Sequence, residues 1–251
     1  MHRRFLALPA LLVVAVLVAG ACGGSTPALT DPSEILTKSV AALQDVKTVH
    51  LEATVEGTLK LDLSGTGQAS PVALTGTKLA MDIDAEDSSG TLSLEVPALL
   101  GMTVDAIMVG GDTYTRTSLT GDKYQKGSSG DSDIPVDATD PEQSLKDLGA
   151  WLKKPEVDPT KEADASCGSK TCYQVKIDLT AEELQALIPE ASDIGEAAIV
   201  LIILVEKDTL RPASMALEVS SGEFGELSVS LTLSKWDAAL DISAPPADEV
   251  Q

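Results

Sequence analysis

The chain has 251 residues and carries 39 acidic against 18 basic side chains, a formal net charge of −21. That excess argues against nucleic acid as a partner, because phosphates demand clustered Lys and Arg, and against docking on anionic lipid through charge alone. Hydrophobic residues make up 43%, enough for a core, but aromatics only 3%, so the interior must be aliphatic.

Arg3 and Arg4 precede an apolar run from Leu6 to Ala19, and small residues follow up to Cys22. This is the arrangement of a secretory signal peptide over residues 1–21; the run is short for a membrane span and contains Pro9. Ala19-Gly20-Ala21-Cys22-Gly23-Gly24 resembles a bacterial lipobox, in which the cysteine becomes the first mature residue and carries a diacylglyceryl group. The competing reading is an ordinary signal peptide with a cysteine beside it. A lipidated Cys22 would anchor the protein to the outer face of the bacterial cytoplasmic membrane, with residues 22–30 as a flexible tether. Setting Cys22 aside leaves Cys167 and Cys172 as a pair in an exported, disulfide-permissive setting. Their spacing suits a staple across a hairpin, whereas a redox motif favours two intervening residues and a helix start.

Residues 31–251 read as one domain. Asp31-Pro32-Ser33-Glu34 opens a helix with a capping-box-like start, and Leu36, Val40 and Leu43 follow at helical spacing to about Asp45. Apolar residues then alternate from Val49 to Leu63, a half-buried strand or pair of strands bent at Gly57. The same period returns in Leu79-Met81-Ile83, Leu92-Leu94-Val96 and Met102-Val104-Ala106, and Gly110-Gly111 marks a hairpin turn. Residues 120–140 form a loop, and Asp140-Pro141 starts a second helix with Leu145, Leu148 and Leu152 on its buried stripe. Tyr173 to Leu179 is a further strand, and Thr180 to Glu183 a capping box for a short helix. Ala197 to Val205 is apolar on both faces, a central or helix-covered strand, and Met215-Leu217-Val219 and Leu227 to Leu233 complete a meander. The class expected is α+β: a large curved antiparallel sheet with a few helices packed on one face.

Chemistry is harder to find. Histidine occurs only at His2 and His50, and His50 lies on the polar phase of its strand, so it reads as a solvated surface residue. Asp82-Ile83-Asp84-Ala85-Glu86-Asp87 lacks the glycine and the distal acid of a calcium loop, and Asp131, Asp133, Asp137 and Asp140 read as a solvated loop. No nucleophile, base and oxyanion site assemble, so neither an enzyme nor a metal or other cofactor is expected. The absence of Asn excludes N-linked glycosylation. Binding remains: the aliphatic sheet face is either filled by helices or left open as a cavity, and periodicity alone does not choose.

Several segments choose for it. Val109-Gly110-Gly111-Asp112-Thr113-Tyr114, the strand and charged turn Leu204 to Pro212, and above all Ser234-Lys235-Trp236 with Leu240 to Val250 resemble the LppX/LprG lipoproteins of actinobacterial envelopes, relatives of the LolA and LolB carriers. The resemblance implies a LolA-like half-barrel with helices across its concave face, a closing strand at the C-terminus and a hydrophobic cavity for lipid or glycolipid tails. It implies a monomeric carrier, working without catalysis and handing its cargo to an envelope transporter or partner protein. Leu61, Met81, Ile83, Leu94, Val104, Ile177, Met215 and Val229, on the apolar phase of the strands, are the candidate lining residues. The alternative is a LolA-like sensor or interaction module with a packed interior.

Overall fold

Asp31 caps α1 (Pro32–Leu43): its Oδ1 accepts the N–H groups of Ser33 at 2.8 Å and Glu34 at 3.2 Å. Glu34 does not reach back to complete the box; it pairs with Lys38 one turn on, at 2.8 Å. The buried side of α1 is Ile35, Leu36 and Ser39. The computed structural model describes residues 28–61, 70–128, 141–187, 196–222 and 225–251. The segment expected to be a signal peptide, Cys22, and Asp131, Asp133, Asp137 and Asp140 lie outside them.

The alternating segments form thirteen strands: β1 (Thr48–Leu61), β2 (Ser70–Ala73), β3 (Thr77–Asp84), β4 (Ser89–Val96), β5 (Met102–Val109), β6 (Asp112–Thr117), β7 (Gln125–Ser128), β8 (Thr160–Lys161), β9 (Ala165–Cys167), β10 (Lys170–Leu179), β11 (Ala198–Glu206), β12 (Pro212–Ser221) and β13 (Gly225–Ser234). Between β7 and β8 lies α2 (Pro141–Trp151), and α3 (Ala181–Leu187) follows β10. In α3, Thr180 and Glu183 do form the reciprocal box: the Thr180 N–H donates to Glu183 Oε2 at 2.6 Å and the Glu183 N–H to Thr180 Oγ1 at 3.2 Å.

The strands make one open antiparallel sheet in the order β7-β6-β5-β4-β3-β1-β13-β12-β11-β10-β8, with β2 added to β1 and β9 to β10. The first strand therefore stands near the middle, between a meander running outward through β3 to β7 and another through β13 to β10. Every named pairing is antiparallel, as short hairpins require. The result is a half-barrel, a large sheet that does not close. Its tight turn at Gly110 and Gly111 (φ +62° and +82°) has the left-handed backbone that a two-residue hairpin needs.

β1 is a single strand bent at Gly57, where φ is +122°, and its partner β13 begins at Gly225 with φ +108°. A Cβ on Gly57 would stand 2.2 Å from the Glu226 carbonyl oxygen, and one on Gly225 2.2 Å from that of Thr58. Two backbones close enough to exclude a methyl group fix this end of the central pair.

The C-terminus departs from the sequence expectation. No strand follows β13, because β1 and β13 already have neighbours on both sides. The chain instead turns at Lys235 and Asp237, donates the Asp237 N–H to the Thr48 carbonyl at 2.9 Å, and reaches Tyr124 on the far side of β3, β4 and β5. There the Tyr124 N–H donates to Glu249 O at 2.8 Å and the Gln251 N–H to Tyr124 O at 2.9 Å. Among the described residues no helix is long and apolar enough to cross a membrane.

Candidate functional site

Strand parity and register assemble the apolar face. One row crosses eight strands without a polar residue: Val175, Ile203, Met215, Leu231, Ala53, Leu79, Leu94 and Val104 are successive partners from β10 to β5. The row ends at Thr117 on β6. A parallel row runs Ile177, Leu201, Leu217, Val229 and Val55, and a third joins Leu51, Met81, Leu92 and Ala106. A charged side chain in any of these rows would lie against aliphatic neighbours on both sides, which explains the strict alternation.

The face divides into two halves. On β10 and β11, Val175, Ile177 and Val205 are fully buried and Ile199 is 2% exposed. They are covered by Ile35 and Leu36 of α1, Trp151 of α2, Leu184 of α3 and Val157. Tyr173 sits at the margin of this core; its hydroxyl accepts the Leu29 N–H at 3.0 Å, which fixes the chain just before α1. On β1, β3, β4 and β5 the picture differs. A small cluster of Met81, Leu92 and Ala106 is packed by Leu51, Leu79, Ile83 and Leu94, all of them strand residues, and among the described residues no helix contributes. Around it Ala53, Val55, Val104, Val229 and Leu231 are only half-buried.

The candidate lining residues thus share one face but not one environment. Ile177 lies in the closed, helix-covered core, Met81, Ile83 and Leu94 in the strand-only cluster, and Val104, Val229 and Met215 on half-buried sheet surface. Leu61 closes β1 opposite Ser70, and its side chain lies outside the described residues. Sequence reasoning missed this division, since alternation reads the same whether a helix lies above the strand or not.

Cys167 and Cys172 are joined in a disulfide, with Cα atoms 5.9 Å apart, inside the usual range. They are not directly opposite: Cys167 faces Lys170 and Cys172 faces Ala165, so the bond runs diagonally across the β9–β10 turn.

The other face is largely polar and tightly paired, except on β11, where Val200, Ile202 and Leu204 lie half-buried on it, as expected of a strand apolar on both faces. His50 is less solvated than its strand phase suggests: its side chain is 12% exposed, with Nδ1 2.7 Å from Asp82 and Nε2 3.3 Å from Glu52. Arg116 donates to Asp105 at 2.9 Å and stacks 4.6 Å above the Tyr124 ring. The hydrogen bond to Asp105 raises the Arg116 pKa above its ordinary value. A hollow of about 250 Å³ on this side is lined by Asp82, Thr91, Ser93, Asp105 and Tyr124, and another of about 370 Å³ by Glu56, Glu218, Glu226 and Ser228 among others.

The comparisons with known proteins agree with the open half-barrel. The profile of the LppX_LprAFG lipoprotein family matches residues 31–242. Lipoarabinomannan carrier protein LprG of Mycobacterium tuberculosis and of Mycobacterium bovis is 23% identical over 253 residues, covering 97% of this chain and 96% of the relative. The crystal structure of the lipoprotein LppX of Mycobacterium tuberculosis superposes with a TM-score of 0.54 at 16% identity, over 84% of this chain and 97% of the other. That of LprF from Mycobacterium bovis gives 0.57 at 16%, over 85% and 96%. A profile that runs from the α1 cap to beyond β13, on a fold shared with two of its members, makes this chain a member of the LppX_LprAFG lipoprotein family.

Proposed function

We propose that this protein carries lipid or glycolipid within the cell envelope, taking acyl chains onto the aliphatic face of β13, β1, β3, β4 and β5. One observation carries the reading: this half of the face holds Ala53, Val55, Val104, Val229 and Leu231 half-buried, and among the described residues its packed cluster includes no helix residue. Hydrophobic burial has no directional requirement, so such a surface accepts acyl chains of varied length. The lipoarabinomannan carriers among its relatives support a glycolipid cargo. Met81, Ile83, Leu94, Val104, Met215 and Val229 are the lining side chains, and Ile177 is structural. Cys22 bears the lipid anchor that holds the carrier at the outer face of the cytoplasmic membrane, and an envelope transporter or partner protein exchanges the cargo.

The test is extraction with organic solvent of protein purified from an actinobacterial host, followed by mass spectrometry. Near-stoichiometric phospholipid or glycolipid is the expected result. A lipid-free extract from folded protein that also takes up no added lipid would leave a packed interaction module in its place.

A further inference from the structure

The two ends of the strands differ in a way the fold does not require. At one end the β3–β4 turn carries Asp84, Glu86 and Asp87, the β11–β12 turn Lys207, Asp208 and Arg211, and the exit of β13 Lys235 and Asp237. The opposite end of β3 to β6 is built from three loops that touch. A Cβ on Gly76 would lie 3.6 Å from Pro97 Cγ, which joins the β2–β3 and β4–β5 loops. The Ser118 N–H donates to the Thr103 carbonyl at 3.0 Å, which joins β4–β5 to β6–β7. Residues 70–77, 96–104 and 117–121 contain no charged side chain, although 23% of the chain is charged; the nearest charges in these loops are Asp122 and Lys123, toward the β7 side.

From this neutral tip project Leu99 at 41%, Leu100 at 101% and Leu119 at 73% exposure, the large hydrophobic side chains most exposed to solvent among the described residues. Leu100 is the informative one. It ends the short helical turn Pro97–Leu99 in the left-handed region, φ +59°, with Gly101 beside it at φ +72°. Glycine or asparagine suits that position best, and a leucine there accepts backbone strain while contributing no packing. Neither its conformation nor its exposure is explained by the stability of the fold. Among the described residues nothing shelters it.

We propose that this tip docks the protein on a lipid bilayer, with Leu99, Leu100 and Leu119 entering the acyl region and the charged end of the half-barrel facing away. With a net charge of −21, a bilayer contact has to be made through neutral side chains, because an acidic protein is repelled elsewhere on its surface by anionic headgroups. The shape supports it too: three leucines on two narrow turns form a wedge, whereas a stable protein partner needs a broad patch of about 800 Å² on each side. The docking stands apart from the cargo, since it concerns loops at the strand ends and none of the lining residues.

The test places a fluorophore at the tip. Leu100→Trp protein, purified as exported from an actinobacterial host, is mixed with excess phosphatidylcholine vesicles whose acyl chains carry bromine, and the wild-type signal of Trp151 and Trp236 is subtracted. The expected result is a blue-shifted emission quenched about twofold or more, against no quenching for Glu86→Trp at the charged end. Adding Leu99→Asp and Leu119→Asp to the Leu100→Trp chain should abolish the quenching without changing the melting temperature. A Leu100→Trp spectrum that stays water-like and unquenched overturns the proposal, as does equal quenching at position 86. Tip residues that crosslink to a protein while remaining unquenched by lipid overturn it in favour of a protein contact.

Discussion

Asp237 shows how one exposed carboxylate organises a chain terminus. Its Oδ1 accepts the Lys47 N–H at 3.0 Å and its Oδ2 pairs with Arg211 at 2.6 Å, so the exit of β13, the entry of β1 and the β11–β12 turn meet on one group. The Lys47 N–H, and after it the Arg211 guanidinium, holds the carboxyl below the ordinary carboxylate range. A depressed folded-state pKa stabilises the fold above the unfolded value; that contribution fades as pH falls through the folded one. Asp237→Asn should therefore be less stable than wild type in urea at pH 7, by a margin that shrinks below about pH 4. A margin unchanged down to pH 3 would refute the linkage. His50 marks what a residue-level reading leaves out. Alternation put it on the polar face correctly, but its partner Asp82 arrives by the β1–β3 register, 32 residues later in the chain, and no local pattern announces it.

Among the elements, the long strands were legible because each buries one face and repeats every two residues. The edge strands β2, β7, β8 and β9 were not: each has at most four residues, too few for a period to show, and β7 to β9 are largely polar. The tail misled for the opposite reason. Leu240 and Ile242 alternate like a strand, but the sheet has no free edge beside β13 to receive one. The bend at Gly57 was legible as a glycine in a strand; the contact that demands glycine was not. Gly57→Ala puts a methyl group into the β13 backbone, with an expected loss of about 2–4 kcal/mol in chemical denaturation. A change under about 0.5 kcal/mol, the range of ordinary surface substitutions, would mean the two strands separate freely there. The disulfide closes only a short loop, so replacing both Cys167 and Cys172 by Ser should cost about 2 kcal/mol by loop entropy. Its diagonal register implies that the β9–β10 turn forms without it, and the doubly substituted protein should keep its far-UV circular dichroism.

At the scale of the molecule, helix placement divides a single aliphatic face. Under α1, α2 and α3 the face is closed core; beyond them, from β13 to β5, half-buried side chains surround the small buried cluster of Met81, Leu92 and Ala106. Substitutions in the two halves should therefore dissociate stability from cargo. Ile177→Ala removes fully buried methyl groups and should destabilise by about 2–5 kcal/mol, while the lipid recovered per folded molecule stays unchanged. Val104→Gln places a polar amide on the open half. Because Val104 already has solvent contact, the change should alter stability by about 1 kcal/mol or less. It should nonetheless deplete bound lipid severalfold, since the amide loses its water when hydrocarbon covers it. Denaturation curves and lipid extracts measured on the same preparations decide the matter. If Ile177→Ala empties the protein and Val104→Gln does not, the cargo lies beneath the helices, and the open half of the sheet has some other use.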